Sequence, residues 1–164
     1  MADTGKIKVL LESVENLAPS GFAIAFHIRL TSPDFLFQTY PKDWTDIYSE
    51  KGYVMQDPTV RWGFTETGSI RWSGLAEMDD QNILGQSLAY GMAFGVTIST
   101  DTGGSRSLAS FSRPDREYTD EEIKQLSQCV QALHDMTALQ GGTSEELRTQ
   151  LHQLSVKMTH PPTT

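Results

Sequence analysis

The sequence has little of several features, and each shortage excludes a class of protein. Its 164 residues include one cysteine, Cys129, so no disulfide forms within the chain and the cytoplasm is its expected location. No run of 18 or more apolar residues occurs, so we expect no membrane-spanning helix and no membrane partner. The first residues lack the basic stretch and apolar core of a secretory signal peptide.

Positive charge is also scarce. The chain carries 13 Lys and Arg against 21 Asp and Glu, which gives a formal net charge of −8. Neutralising nucleic-acid phosphates requires clustered cations, and the longest basic cluster is Arg113 and Arg116 around a proline. We therefore expect that this chain does not bind DNA by itself.

The common signatures of catalysis are missing as well. The sequence contains no GxSxG motif, no P-loop and no GxGxxG fingerprint. The four histidines lack the spacing of a metal site, and His134 is interpreted as part of a solvated helix face. Cys129 is interpreted as a buried structural thiol rather than a nucleophile. The sequence predicts no enzyme, no metal site and no cofactor.

The features that are present indicate one globular domain. With 38% hydrophobic and 21% charged residues, the composition is near the average for globular proteins. Helical periodicity and capping signals predict helices over residues 6–17, 41–51, 57–63, 79–92, 119–139 and 144–158. Alternating apolar residues and turn signals predict strands over residues 22–30, 35–40, 69–72, 93–100 and 106–112.

Hairpins dominate the order of the strands, and helices precede, separate and follow them. One hairpin joins the first two strands, and a turn at residues 101–104 joins the last two. This order predicts an α+β fold in which an antiparallel sheet of about five strands is flanked by helices as an α-β-α sandwich. We expect the domain to span residues 1–159 and a linker to start at 160–164.

Aromatic residues are concentrated in the middle of the chain. Nine of the fifteen lie between positions 35 and 72. Core packing explains most of them, but Tyr and Trp also carry polar groups that need partners when buried. Trp44 and Tyr48 are one helical turn apart, and Tyr40 lies one turn earlier. Such a strip along an apolar wall suits an amphiphilic ligand with a polar head and an apolar tail.

The same segment carries a motif of uncommon residues at fixed spacing. Its members are Tyr40, Trp44, Tyr48, Gly52, Tyr53, Asp57, Pro58, Thr59, Trp72 and Gly95. Their order and spacing resemble those of the autoinducer-binding domain of LuxR-type quorum-sensing regulators. The resemblance covers nearly the whole chain.

The resemblance implies an N-acyl-homoserine lactone as the ligand and a role for each matching position. It implies that Trp44 donates its indole N–H to the lactone carbonyl and that Asp57 accepts the amide N–H of the ligand. It also implies that Tyr48 meets the acyl carbonyl together with Ser110. A second interpretation of Asp57 stays open, because Asp followed by Pro is also favoured at the N-cap of a helix.

The resemblance further implies that Tyr40 and Trp72 form walls around the head group, and Thr59 is another polar candidate for ligand binding. Trp72 also fits an ordinary core position. Eight side chains are candidates for limiting the acyl tail: Phe35, Phe37, Tyr53, Val60, Trp62, Phe64, Leu88 and Phe94.

Two apolar stripes near the end of the chain predict a homodimer. One stripe lies on the predicted helix over 119–139, and the other on the predicted helix over 144–158. Together they exceed what one sheet is expected to cover, so we expect one of them to pack against a second copy. A monomer with both helices on one sheet face is the alternative.

Members of the resembled family usually continue into a C-terminal helix-turn-helix domain, which is absent from these 164 residues. We therefore interpret the chain as an excised ligand-binding and dimerisation domain that reaches DNA only through that further domain. The alternative is a naturally truncated homologue that inhibits a full-length partner by mixed dimerisation. A metal-dependent lactonase is disfavoured by the lack of a His/Asp ligand cluster, and a sensor for another apolar metabolite stays open.

Overall fold

The computed structural model describes residues 4–30 and 32–138, and its elements follow the predicted alternation of hairpins and helices. The helices are α1 (Thr4–Leu17), α2 (Lys42–Glu50), α3 (Pro58–Thr65), α4 (Ile83–Ser87) and α5 (Asp120–Met136). The strands are β1 (Gly21–Arg29), β2 (Ser32–Gln38), β3 (Gly68–Arg71), β4 (Phe94–Thr102) and β5 (Ser105–Arg113). Short 3-10 helices span Tyr53–Met55, Trp72–Met78 and Leu88–Tyr90.

The five strands form one antiparallel sheet in the order β2-β1-β5-β4-β3. Each predicted hairpin is present, and the first strands of the two hairpins are separated by β5. Helices α1 and α5 cover one face of the sheet, and α2, α3 and α4 stand over the other. The predicted α+β fold with a helix-flanked antiparallel sheet is confirmed.

The face below α1 and α5 is a closed aromatic core. Four of its rings, Phe22, Phe26, Phe37 and Phe111, are fully buried. Complete burial of such a ring contributes roughly 1.5–3 kcal/mol to the free energy of unfolding. The apolar stripe of α5 belongs to this core, as its buried members are Leu126, Val130 and Leu133. This stripe is therefore covered by the sheet and is not available to a second copy.

Helix α5 starts with a capping box. The Thr119 hydroxyl accepts the Glu122 backbone N–H at 3.2 Å, and the Glu122 carboxylate accepts the Thr119 N–H at 2.9 Å. Each residue thus satisfies an N–H that the helix itself leaves without an acceptor. Hydrogen bonds from Arg116 hold the pKa of Glu122 down at about 2.

The opposite sheet face carries small and polar side chains in one row. The register places Ala23 beside Gln38 on one side and Ser110 on the other, and Ser110 beside Thr97. Their neighbours one residue along each strand point into the aromatic core, because successive side chains alternate between faces. Small side chains here leave room between the sheet and the helices above it.

Two residues further along the strands, a second row on this face is apolar. It consists of Leu36, Ala25 and Leu108, which are paired in register across β2, β1 and β5. The two rows lie about 7 Å apart at the rise of a β-strand. A molecule lying along the strands on this face therefore meets polar groups at one end and apolar groups at the other.

The predicted helix over residues 79–92 is wrong as one element. The structure has a turn, the short helix α4 and a 3-10 helix in its place. Asn82 adopts a left-handed conformation with φ of 54°, which no continuous α-helix accommodates. The Asp79 carboxylate accepts the N–H groups of Ile83 and Leu84, so the helix starts anew there.

The interpretation of His134 as solvated is also wrong, because its side chain is buried and stacks on His27 with ring centroids 4.4 Å apart. His27 lies at an irregularity of β1 with φ of 54°. Its Nε2 contacts the His134 carbonyl oxygen at 2.8 Å, which assigns the proton to Nε2. Burial, and then the proximity of His134, lowers the pKa of His27. Cys129 is partly buried, and burial raises the pKa of its thiol.

The predicted helix over 144–158 lies outside the described residues. None of the helices in the described part of the chain is long and apolar enough to cross a membrane. Within that part, no cluster of three or more His, Cys, Asp or Glu side chains is arranged to hold a metal ion.

Candidate ligand-binding site

A cavity of about 260 Å³ lies between the outward face of the sheet and the helices α2, α3 and α4. All seven residues predicted to bind the head group line it: Tyr40, Trp44, Tyr48, Asp57, Thr59, Trp72 and Ser110. They come from α2 and the segment before it, from α3 and its N-cap, from the 3-10 helix that follows β3, and from β5. The fold thus brings residues 70 positions apart in sequence into one site.

Asp57 is the acidic group of the site and is 8% exposed. As the N-cap of α3, its Oδ1 accepts the Thr59 backbone N–H at 2.9 Å and the Thr59 hydroxyl at 2.7 Å. Its Oδ2 accepts the Tyr48 hydroxyl at 2.7 Å. Burial raises the pKa of Asp57 above its ordinary value, and these hydrogen bonds offset part of the rise. Capping and facing the cavity are compatible, because each carboxylate oxygen accepts more than one hydrogen bond.

Two tyrosines of the motif, Tyr40 and Tyr48, line the cavity. Tyr48 lies on α2, and burial and then the nearby charge of Asp57 raise its pKa. Tyr40 precedes α2, donates to the Ser110 carbonyl at 3.2 Å, and has its pKa raised by burial. Both hydroxyls therefore stay protonated and act as hydrogen-bond donors at neutral pH.

Trp44 lies one turn before Tyr48 on α2, and its side chain is 4% exposed. Its ring packs against Tyr48, Tyr53 and Tyr90, with centroids 5.4–6.3 Å apart. Within residues 4–30 and 32–138, its indole N–H has no hydrogen-bond acceptor. No fully buried side-chain N or O atom of the described residues lacks a partner, so this N–H reaches the open space of the cavity and is available to an acceptor bound there.

Trp72 is held in place from the sheet side. Its indole N–H donates to the Thr97 hydroxyl at 3.1 Å, and that hydroxyl is 2.8 Å from the Ser110 hydroxyl. Gly95 makes room for the indole, because a Cβ at that position would lie 2.1 Å from a ring carbon. Trp72 is therefore a fixed wall whose own N–H is already used. Sequence reasoning missed Thr97, although polar residues alternate with Val and Ile along β4.

Two of the eight predicted tail residues, Val60 and Phe64, line the cavity from α3. Phe35 and Phe37 do not, and their assignment is corrected. They point into the aromatic core under α1 and α5, because the alternation along β2 turns Leu36 instead towards the cavity.

The other four predicted tail residues are also placed outside the cavity. Tyr53 lies behind Trp44 and donates its hydroxyl to Gln86 at 3.1 Å. Trp62 packs against the cluster around Trp44 without lining the cavity. Leu88 and Phe94 line a separate, shallower pocket on the far side of Trp72.

The apolar end of the cavity is built mainly by residues that the sequence reasoning missed. They are Ala25, Ile28, Pro33, Leu36, Val54 and Leu108. Leu36, Val54 and Phe64 are 39%, 48% and 41% exposed. At the other end, Asp57, Thr59 and Ser110 are buried, and Tyr40 and Tyr48 are partly buried. The cavity therefore has a closed polar end and an apolar end that reaches the surface.

Comparison with known protein families identifies the family to which this chain belongs. The sequence profile of the autoinducer-binding domain matches residues 20–140, which include every described strand and the whole of α5. The chain belongs to the autoinducer-binding domain family, the ligand-binding domains of LuxR-type quorum-sensing regulators. It is accordingly a binding domain associated with transcription regulation and not an enzyme.

Individual relatives agree with this assignment. The transcriptional activator SolR of Ralstonia nicotianae is 30% identical over 93 residues, which are 56% of this chain and 39% of SolR. CepR2 of Burkholderia cenocepacia, an N-acylhomoserine lactone-dependent LuxR-family transcription factor, has a TM-score of 0.59 and 18% identity, covering 77% of this chain and 78% of CepR2. SdiA of Escherichia coli in complex with octanoyl-rac-glycerol has a TM-score of 0.61 and 16% identity. The match covers 89% of this chain and 67% of SdiA. The structural matches show the shared fold, and the matched region is well under two thirds of SolR.

Proposed function

We propose that this chain is the ligand-binding domain of a quorum-sensing transcription regulator and that its ligand is an N-acyl-homoserine lactone. The observation that carries the proposal is the pairing of a buried carboxylate, that of Asp57, with the indole N–H of the buried Trp44 side chain, on the wall of one cavity. The first is an acceptor for an amide N–H, and the second is a donor that lacks an acceptor among the described residues.

The charges of the lining residues restrict the class of ligand. Asp57 is the one titratable acid in the lining, and the lining includes no Lys, Arg or His among the described residues. A buried anion needs a cationic or N–H partner, so a free fatty acid or a phosphorylated compound fits poorly. A neutral amphiphile with one amide N–H and two carbonyls fits, since the Ser110 hydroxyl supplies a further donor and the Tyr48 hydroxyl supplies one when its hydrogen turns from Asp57 to the ligand.

In this proposal each head-group residue has one role. Asp57 accepts the ligand amide N–H, and Trp44 donates to the lactone carbonyl. Tyr48 and Ser110 meet the acyl carbonyl, and Thr59 holds the Asp57 carboxylate in its orientation. Tyr40 and Trp72 form walls around the head group. The tail then runs over the row of Leu36, Ala25 and Leu108, beneath Val60 and Phe64.

Thermal unfolding with a panel of lactones of different tail length tests the proposal. A ligand that binds only the folded state at a hundredfold excess over its Kd stabilises that state by about 2.7 kcal/mol. We expect the Tm to rise with at least one lactone, and more than with octanoyl glycerol, which has no amide N–H. A panel that leaves the Tm unchanged contradicts the proposal, and mass spectrometry of small molecules extracted from the purified chain gives an independent reading.

Titration calorimetry on two variants tests the roles within the head-group site. Asp57→Asn removes the charged acceptor and should weaken binding by about 1.5–3 kcal/mol, while Trp44→Phe removes one neutral donor and should weaken it by about 0.5–1.5 kcal/mol. Tyr118→Phe is the matched control, because its hydroxyl donates to the Leu17 carbonyl outside the cavity. Equal and small losses in the first two variants would leave Asp57 with a capping role alone.

Dimerisation and the domain boundaries stay predictions. The stripe on α5 is covered by the sheet, so we propose that the homodimer forms through residues 144–158, which lie outside the described part. Light scattering at micromolar concentration should give twice the 18.2 kDa chain mass, and Leu151→Glu should return it to the monomer value without loss of ligand binding. We also propose that the domain ends near residue 159 and that DNA is reached through a further domain.

A further inference from the structure

The C-terminal end of α3 is fixed to the sheet by one guanidinium group. The Nη1 of Arg106, on β5, lies 2.7 Å from the carbonyl oxygens of both Gly63 and Glu66. The Ser99 hydroxyl accepts from the same nitrogen at 2.7 Å and donates to the Gly63 carbonyl at 2.9 Å. A helix leaves its last carbonyls without partners, and a cation is favoured at that end.

The two ends of α3 are held by different groups. At its N-terminal end, Asp57 and Tyr48 are groups to which the proposed lactone binds. At its C-terminal end, Arg106 does not line the cavity, so a ligand in the cavity does not touch it. The head group of a ligand therefore contacts the groups that hold the first end of α3 and not the group that holds the second end.

The position of the C-terminal end of α3 determines the distance between α3 and β5 at the apolar end of the cavity. Gly63 lies directly on Leu108, since a Cβ on Gly63 would be 2.1 Å from a Leu108 methyl carbon. The next residue, Phe64, lines the cavity, and so does Val60, one turn before Phe64 on the same face of α3. Movement of this end of α3 away from the sheet would increase the distance from Val60 and Phe64 to Leu108.

The sheet register shows why Arg106 acts at this point. Along β5, outward-facing side chains recur every second residue, so Ser110, Leu108 and Arg106 follow one another at intervals of about 7 Å. Ser110 belongs to the polar row, Leu108 belongs to the apolar row, and Arg106 is the charged residue that follows them on the same face. Arg106 also pairs with Asp101 at 3.2 Å, and its side chain is 19% exposed. The apolar floor thus ends at a guanidinium that is engaged with α3.

We propose that Arg106 is a positioning residue that fixes α3 over the apolar end of the cavity and thereby sets which acyl tails the site accepts. This proposal rests on the proposed function. With Arg106 in place, the gap between α3 and β5 admits a single unbranched tail that leaves between Leu36, Val54 and Phe64. Without it, the gap widens, and discrimination between tails is lost while the head-group contacts remain.

The test compares Arg106→Gln with the wild-type chain across lactones with unbranched tails from butanoyl to tetradecanoyl. We expect the ratio between the tightest and the weakest Kd to shrink by about tenfold, which corresponds to one charged hydrogen-bonded contact. General destabilisation weakens all ligands alike and leaves this ratio unchanged. Arg106→Lys, with a compact charge instead of a planar fork, should restore part of the ratio.

Arg61→Gln is the matched control. Arg61 lies on α3 itself and donates to the Met78 carbonyl at 3.3 Å, away from the cavity. The variant removes a guanidinium from α3. We expect its ratio between the tightest and the weakest Kd to equal that of the wild type. The proposal is overturned if the ratio of Kd values is the same in the wild type and in Arg106→Gln. It is also overturned if Arg61→Gln reduces this ratio as much as Arg106→Gln does.

A second measurement needs no ligand. Hydrogen exchange of the amides at the C-terminal end of α3, such as the Glu66 N–H bonded to the Trp62 carbonyl, should be about tenfold faster in Arg106→Gln relative to the amides of α5. Unchanged exchange overturns the proposal. A wild-type chain that binds no lactone overturns the proposed function, and the exchange measurement then decides separately whether Arg106 holds α3.

Discussion

Replacement of Tyr48 by Phe tests the electrostatics of the site before any ligand is added. The variant removes the hydroxyl that lies 2.7 Å from Asp57 Oδ2 and keeps the ring. Because Asp57 is 8% exposed, little water is available to replace the lost donor. A hydrogen bond to a charged group contributes about 1.5–3 kcal/mol, so we expect a loss of that size in the free energy of unfolding at neutral pH.

The loss should depend on pH, and its sign follows from the pKa of Asp57. Burial raises this pKa and the Tyr48 hydroxyl opposes the rise, so the variant raises it further. A carboxyl with a raised folded-state pKa contributes stability that is present below its ordinary value of 3.8 and is lost as the pH rises through the folded-state value. The penalty of Tyr48→Phe should therefore shrink at acid pH, to about 0.5–1.5 kcal/mol for a neutral pair.

Urea unfolding of the wild type and Tyr48→Phe across this pH range measures the effect. Tyr53→Phe is the matched control, because its hydroxyl bonds the neutral amide of Gln86, and its loss should be about 0.5–1.5 kcal/mol at every pH. Equal losses in the two variants, with the same pH dependence, would refute the account of Asp57 as a buried carboxylate held by Tyr48.

Three further predictions concern other parts of the fold. Gly95→Ala should destabilise the chain by about 1–3 kcal/mol in urea unfolding, because its methyl group would overlap the Trp72 ring. The lowered pKa of His27 contributes stability that is present above its ordinary value of 6.5 and is lost as the pH falls below it; His27→Gln should lessen that loss, which is at most about 1.4 kcal/mol per pH unit for one proton. Thr119→Ala should cost about 1 kcal/mol, and in that variant hydrogen exchange at the first turn of α5 should be faster than in the wild type.

The parts of the fold that could be predicted from the sequence are those encoded by neighbouring residues. The capping box of Thr119 and Glu122, the Asp57-Pro58 helix start and the turn at 101–104 each depend on side chains a few positions apart. The predicted helix over 79–92 failed because the backbone of Asn82 is left-handed, and the helical spacing of the apolar residues does not reveal a single break in conformation.

The site was predicted unevenly for a related reason. The head-group residues were assigned through a motif, and all of them line the cavity. Six of the eight predicted tail residues do not line it. For Phe35 and Phe37 the reason is that a shift of one position along a strand turns a side chain to the other face. The alternation of Phe22, Ile24 and Phe26 with Ala23 and Ala25 is a signal that would have separated the core face from the cavity face.

The long-range contacts could not be predicted from local patterns at all. Arg106 meets Gly63 across 43 positions, and His27 meets His134 across 107. Both contacts depend on the order in which the strands are assembled, since β5 lies between β1 and β4. The sequence therefore indicates the class of ligand more readily than the selectivity of the site.

The central claim is that Asp57 accepts the amide N–H of an acyl-homoserine lactone, and replacing that N–H by oxygen in the ligand tests it most directly. Titration calorimetry of the wild type with the amide and with the matching ester should show that the ester binds about ten- to a hundredfold more weakly, as expected for a lost charged hydrogen bond. In Asp57→Asn the difference in affinity between the amide and the ester should be smaller. An ester that binds the wild type as tightly as the amide would contradict the account.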